Sequence, residues 1–399
     1  MAAAIIVQKF GGTSVGSPAR IRSVAARIAA CHQAGQRVVV VVSAMGRATD
    51  ELIALAHSVS PDPKPREMDM LLTAGERISM ALVSMALSDL GVAAVSFTGS
   101  QTGIITDQSH RRARIQRILG DRVRATLAEN RVAIVAGFQG VSEGKEITTL
   151  GRGGSDTTAV ALAFALGAEL CEIFTDVEGV YTADPRIVPD ARLYAELPVD
   201  LMLELAIRGA GVLHPRSVEM ARQSGIRLSV RNSLNETKGT RMLQSLDEKR
   251  GLEDFGVVGV TVDHEKLWLE VEFPTARALS DCLLFASKSH LLLLAPTLQQ
   301  ASLKGFVEED ARRDWENLLS QAGADFKLSA DIRPLSVVGH RFLQDCGALS
   351  EMLDVLARSN ISVKMASVAA LSMTAGVPAE LADAGVKALH EHFFGGKTG

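Results

Sequence analysis

"AIIVQKFGGTSVGSPARI", Ala4 to Ile21, is the stretch from which the fold can be read. Four apolar residues and a glutamine lead into Lys9. Phe10, Gly11 and Gly12 follow, then a Thr-Ser pair, and Gly16 comes after a valine. Consecutive apolar residues without polar alternation predict a strand buried on both faces, the kind a parallel sheet uses. Lys9 then stands at the carboxyl edge of that strand, where open α/β sheets take their ligands. Gly11 and Gly12 let the backbone approach a ligand and turn its N–H groups toward it. A helix starting near Pro18 adds the positive end of its dipole. Lysine, bare amides and a helix start make a phosphate cradle. The alternative is an ordinary strand-to-helix turn with an exposed lysine. No G-x-x-x-x-G-K-[ST] motif occurs, so this is not a P-loop, and "GRGGSD" does not satisfy G-x-G-x-x-G.

Working outward, strand-like and helix-like segments alternate up to about residue 235. "PARIRSVAARIAACHQAG" predicts an amphipathic helix with Ile21, Val24, Ala25 and Ile28 on its inner face and Gly35 as its stop. "RVVVVVSAM", "VAAVSFT", "VAIVAGF" and "LCEIFTDV" predict further buried strands. "LLTAGERISMALVSMALSDLG" predicts a helix with a core stripe of Leu71, Ala74, Ile78, Ala81, Leu82 and Met85. "TTAVALAFALGAE" predicts a helix packed on both sides. Such alternation gives an α/β fold, a mostly parallel central sheet flanked by helices.

From Asn232 to Arg250 the chain turns polar and charged, a linker or domain boundary. The units beyond it are short: "VVGVTV", "KLWLEVEF", "HLLLLAP", "PLSVVGH" and "ISVKMASV", with helices at Ala278–Ser287, Val307–Gln321, Ala348–Ser359 and Pro378–Phe393. They predict small α+β modules of βαββαβ type. The expected division is 1–240, 250–330 and 331–399, with the last two free to intertwine.

The 399 residues are 47% hydrophobic and 22% charged with a net charge of −4, an ordinary globular balance that argues against a nucleic-acid partner. The basic run "HRRARIQR", His110 to Arg117, predicts the solvated face of a helix. Four scattered cysteines without C-x-x-C spacing fit a reducing compartment. The nine histidines suggest no metal cluster; His390 and His392 form an exposed pair on a helix. The N-terminus lacks the pattern of a signal peptide, and the apolar runs are too short to span a bilayer. A cytoplasmic protein without membrane contact is expected.

Two further clusters carry chemistry. In "TTLGRGGSDTTAVALA", Gly151, Gly153 and Gly154 surround Arg152, a bidentate carboxylate or phosphate binder. Ser155 and Asp156 then open the apolar helix, where either could instead simply cap it. In "FTDVEGVYTADPRIVPDA", Thr175, Asp176, Tyr181, Asp184 and Arg186 fall in a long loop at the same sheet edge.

With "VVVSAMGRATDEL", "LLTAGERIS", "TDQSHRRARI" and "GAGVLHPRSVEMA", these motifs resemble an aspartate kinase of the amino-acid kinase fold over residues 5 to 240. "SVVGH…ALSEMLDVLARSNISVKMASV" and "VPAELADAGVKALHEHFF" resemble that family's last ACT-type regulatory module. The resemblance implies transfer of the γ-phosphoryl of ATP, carried with Mg²⁺, to the β-carboxylate of L-aspartate, the first step towards lysine, threonine and methionine. It assigns Lys9 to the transferring phosphoryl group with amides from Gly11 and Gly12, and Asp156 to organising that lysine. Arg152, with Gly153, Gly154 and Ser155, would hold the α-carboxylate of aspartate and Glu76 its α-ammonium; Ser43 and Thr49 would approach the substrate. Phe10, Thr175, Asp176, Tyr181, Thr182, Ala183, Asp184, Pro185, Arg186, Gly211 and Val212 would line the nucleotide. No protein metal ligand is implied. The ACT-like modules imply a homo-oligomer and an amino-acid effector.

By position alone Glu76 lies about 200° around its helix from the expected core stripe, which predicts an exposed glutamate; only "TAGER" says otherwise. Two departures stand out. Gly211 replaces the lysine usual in that segment, and the first module lacks the D-x-P-G turn and N-[IV]-D-M-I segment. The alternatives are another phosphotransferase of this fold acting on a different small acid, and a non-catalytic regulatory subunit.

Overall fold

The computed structural model describes residues 3–244, 256–340, 342–343 and 346–395. The charged end of the expected linker, residues 245–250, lies outside the described residues. The chain divides into two compact units.

The first unit contains twelve strands: β1 (Ile5–Phe10), β2 (Arg37–Val42), β3 (Ala94–Phe97), β4 (Ile104–Thr106), β5 (Ile115–Ile118), β6 (Val132–Ala136), β7 (Gln139–Ser142), β8 (Ile147–Thr149), β9 (Leu170–Thr175), β10 (Glu196–Pro198), β11 (Leu228–Asn232) and β12 (Thr240–Leu243). Eight of them form the central sheet in the order β10-β12-β11-β9-β1-β2-β6-β3. Every pair is parallel except β11 with β12. β1 thus has a parallel neighbour on each side, β2 and β9, which is why its residues are apolar on both faces. A smaller sheet, β5-β4-β7-β8, follows the sheet's far end.

One face of the central sheet carries the helix Pro18–Gln33, with Ile21, Val24, Ala25 and Ile28 inward as expected, next to the helix Ala74–Asp89. The helix Gly154–Leu166 packs against β1 and buries residues on every side of its first two turns, because branched and small side chains meet partners all round.

Two sequence expectations fail here. The helix Ala74–Asp89 buries Gly75, Glu76, Ser79, Val83 and Leu87, whereas Ile78 and Met85 are exposed. It is apolar nearly all round, so hydrophobicity could not fix its rotation. By length and composition the helical stretch Pro65–Asp89 could cross a bilayer; the buried carboxyl groups of Asp69 and Glu76 and its packing on the helix Pro18–Gln33 mark it as a core element instead. The basic run is no helix: Arg111 sits at φ 68°, and Ile115–Ile118 is strand β5. A residue with a positive φ cannot continue a right-handed helix.

The second unit takes the remainder, together with two excursions from within the expected kinase stretch, Tyr181–Arg192 and Leu203–Gly211. Ala183 and Val188 are buried in its apolar core, and the Val260 N–H donates to Thr182 O at 2.9 Å. Its strands are β13 (Val257–Val262), β14 (Lys266–Glu272), β15 (Leu294–Gln299), β16 (Ser302–Glu308), β17 (Asp325–Ser329), β18 (Ile332–Gly339), β19 (Met365–Val368) and β20 (Ser372–Pro378). They form two four-stranded sheets, β15-β16-β14-β17 and β13-β18-β20-β19. β13 therefore leaves its sequence neighbours and completes the other sheet, so a cut at residue 330 would divide a module. "HLLLLAP" is only partly strand: β15 begins at Leu294 and is an edge strand, with Leu292 and Leu298 exposed. Val307 and Glu308 end β16 rather than open a helix, which runs Arg312–Gln321. His390 is buried rather than exposed, 2.9 Å from the Thr182 hydroxyl and stacked on Phe394.

Leu162 is fully buried in the helix that packs on β1. Leu162→Ala should destabilise the first unit by about 2–5 kcal/mol. A urea titration followed by a probe in that unit should show its midpoint fall while the second unit's transition stays put.

Candidate active site

β1 runs parallel to β2 and β9, so the loops after all three leave the same edge of the sheet. Side chains alternate across a strand, which puts Gln8 and Lys9 on opposite faces. Gln8 Nε2 donates to Glu172 at 2.9 Å, and Glu172 pairs with Arg231 at 2.9 Å. Lys9 faces the helix Gly154–Leu166, and its Nζ lies 2.6 Å from Asp156 Oδ1. Both residues are 9% exposed.

Asp156 is not a cap. The N-cap of its helix is Gly153, at φ 64°, and no side chain caps it. The Lys9 amine folds back over the glycine turn: a Cβ on Gly11 would sit 3.5 Å from Nζ. Gly12 is packed still closer, since a Cβ there would come within 2.8 Å of Ala44 O. The loops after β1 and β2 thus touch backbone to backbone, with the Gly46 N–H donating to Gly12 O at 3.0 Å and the Ser43 N–H to Phe10 O at 3.1 Å. Ser43 and Thr49 are half-buried beside this junction.

Glu76 is buried, contrary to its helical position as read from sequence. Its Oε1 accepts the Ala44 N–H at 3.1 Å, while Oε2 is buried without a hydrogen-bond partner. Burial pushes its carboxyl up to about 7. Gly75 permits this approach, because a Cβ there would lie 2.7 Å from Ala44 Cβ. A buried carboxyl group with an unpartnered oxygen is costly to keep charged, the kind of environment in which functional groups are found.

Arg152 is exposed in the turn between Gly151 and Gly153, both at positive φ. Ser155 is buried against Gly137, where any Cβ would lie 2.6 Å from its hydroxyl. Thr175 and Asp176 follow β9; the Thr175 hydroxyl donates to Asp176 at 3.1 Å, and Asn232 Nδ2 donates to Asp176 O at 3.3 Å.

The other residues expected to line the nucleotide occupy varied surroundings. The Phe10 ring is wholly buried and stacked on Phe174 at 4.8 Å, so its side chain belongs to the core. Thr182 and Ala183 have their side chains in the core of the second unit. Asp184 and Arg186 pair with each other at 2.6 Å, which holds the Asp184 carboxyl below the usual range. Tyr181 and Pro185 are half-buried in the same excursion. Gly211 is exposed at φ 68° with open space where a side chain would start, and Val212 is half-buried.

Sequence reasoning missed Asp69. It is fully buried and accepts from the Thr149 hydroxyl at 2.6 Å and the Arg111 N–H at 3.1 Å, with His110 Nδ1 2.6 Å away. Burial raises its carboxyl above the usual range, opposed by the Thr149 and His110 hydrogen bonds. The only available signal was an aspartate at an inward position of an apolar helix, and a misread helix over His110 and Arg111 hid its partners.

Glu76 also makes a stability prediction. A buried acid whose carboxyl titrates above its unfolded value costs nothing below about pH 4.5 and progressively more as pH rises towards 7. Glu76→Gln should therefore leave stability at pH 4 unchanged and raise it at pH 8 by up to about 3 kcal/mol. Denaturant midpoints across pH 4 to 8 check it; equal shifts at both ends would mean that Glu76 is not buried as an acid.

The amino acid kinase family model matches residues 4–232, and an ACT domain model matches residues 335–393. An aspartokinase from Geobacillus stearothermophilus is 44% identical over 98% of this chain and 97% of its own. The crystal structure of an aspartate kinase from Synechocystis is 39% identical, covering 98% of this chain and 69% of that one, with a TM-score of 0.56. Escherichia coli aspartokinase III, solved with aspartate and ADP, shares the fold at a TM-score of 0.86 and 23% identity, covering 98% of this chain and 100% of that one. A kinase fold with a buried lysine–aspartate pair at its sheet edge, joined to ACT-type sheets and matched nearly end to end at this identity, belongs to the aspartokinase family.

Proposed function

We propose that this chain transfers the γ-phosphoryl group of ATP to the β-carboxylate of L-aspartate, giving 4-phospho-L-aspartate. The observation that carries the reading is the buried Lys9–Asp156 pair over the Gly11–Gly12 turn. The nucleophile is a carboxylate with a pKa of about 4, ionised at neutral pH, so the reaction needs no general base. It needs two anions held together and their charge balanced. Lys9 supplies a fixed cation and Asp156 fixes its position, while the glycine turn lets a phosphate come close to the backbone, although the Gly11 N–H itself is donated to Phe174 O at 3.2 Å. Arg152 is the binder for the α-carboxylate of aspartate. Glu76, with one oxygen unused, is the partner for its α-ammonium. Thr175, Asp176 and the loop beyond serve the nucleotide, which brings Mg²⁺ with its phosphates. The acyl phosphate feeds the synthesis of lysine, threonine and methionine in this reading.

A hydroxamate assay for acyl phosphate tests it. Lys9→Ala and Asp156→Ala should each cost about 3 kcal/mol or more of transition-state stabilisation, a loss beyond a hundredfold, with the fold intact. Near-full turnover by Lys9→Ala would sink the phosphate-cradle reading. Aspartate affinity should fall as pH drops through 7, where Glu76 gains a proton, and Glu76→Gln should weaken binding and flatten that dependence.

The ACT-type unit is read as the seat of self-association and of an amino-acid effector. In its first module the helix Ala276–Lys288 is capped by its own Thr275, whose hydroxyl accepts the Ala278 N–H at 3.1 Å. With the D-x-P-G turn absent as well, inhibition by lysine and threonine should be weak. Calorimetric titration of each amino acid, alone and together, checks this; micromolar binding with loss of activity would overturn it.

A further inference from the structure

The motif "GAGVLHPRSVE" was expected to serve the nucleotide through Gly211 and Val212. Its later residues do something else. The turn that carries Arg152 is flanked by Gly151 and Gly153 in left-handed conformations, so it has no stiffness of its own. An arginine that must meet a carboxylate in a two-pronged geometry needs its backbone fixed from outside.

Three contacts from remote segments fix it. Arg216 donates from Nη1 to Leu150 O at 2.6 Å and from Nη2 to Ala113 O at 3.1 Å. His214 lies directly on Gly153: a Cβ there would be 2.1 Å from the His214 Cβ and Cγ. His214 Nδ1 also accepts the Arg216 N–H at 3.2 Å, which ties the two together. On the other side Asp69 holds the Thr149 hydroxyl and the Arg111 N–H, and the Ala113 N–H donates to Thr149 O at 2.9 Å. Arg111 O in turn closes over Gly151, 2.9 Å from where a Cβ would be. The strand leading into Arg152 is thus gripped by a buried anion at Thr149 and a cation at Leu150.

We propose that Asp69 and Arg216 are positioning residues for Arg152, acting on the aspartate side of the site and not on the phosphates. This rests on the reading of Arg152 as the binder of the aspartate α-carboxylate. Neither residue faces substrate in this scheme; each sets the turn that does.

The test is steady-state kinetics on the full chain with aspartate and ATP varied separately. Arg152→Ala comes first and should raise the aspartate KM selectively. Arg216→Lys should raise the aspartate KM about tenfold or more and the ATP KM less than about twofold. Placed in the Arg152→Ala background, Arg216→Lys should add less than about a twofold change, because the group it positions is gone. Thr149→Val should reproduce the defect and Thr149→Ser should rescue it, which keeps the test alive if Arg216→Lys fails to fold. An unselective Arg152→Ala would overturn the substrate reading and the clamp with it. A selective Arg152→Ala with multiplicative effects in the double variant, or equal effects on both KM values, would overturn the clamp alone.

Discussion

The first unit is organised around one contact, the 2.6 Å ion pair between Lys9 on the central strand and Asp156 in the first turn of the helix above it. Burying two charges costs desolvation that their attraction only partly returns, so such a pair adds little to stability. Its position explains why it is kept. Lys9 is the last residue of β1 on the face that meets the helix Gly154–Leu166, and β1 is hydrogen-bonded on both sides. The cation is therefore anchored to a strand paired on both sides, and its counter-ion to the first turn of a helix that is buried on every side there. A charge held in advance needs no reorganisation when a phosphoryl group arrives.

Around that pair, close backbone approaches set the rest of the site. Gly12 against Ala44, Gly75 against Ala44, Gly153 against His214 and Gly137 against Ser155 are places where a methyl group would not fit. They bring the loops after β1, β2 and β6 and two helix starts into one neighbourhood. Glu76 reaches the Ala44 amide only because Gly75 lets the helix approach. The cost of its unpaired oxygen is the kind of strain that functional sites carry.

The second unit shows a different economy. Its core includes Ala183 and Val188 from an excursion within the kinase stretch; from another come Glu204 and Arg208, half-buried and 2.7 Å apart. Glu204 accepts from the Ser372 hydroxyl at 2.5 Å, and Arg208 lies 3.3 Å from the Thr374 hydroxyl on β20. Segments from within the kinase stretch are thereby built into the second unit.

Sequence by itself determined the parallel sheet, the inner face of the first helix, the apolar helix that packs on β1, and the motifs that name the family. These are local patterns of apolar residues and glycines, and they survive without knowledge of partners. Tertiary structure alone decided the rotation of the helix Ala74–Asp89, the burial of Glu76, the turn at His110 and Arg111, the exchange of β13, and the grip of Asp69 and Arg216 on the Arg152 turn. Each depends on contacts between residues far apart in the chain. An apolar helix with two usable faces, or a basic run with no periodicity to contradict a helix, carries no local sign of which partner it will meet.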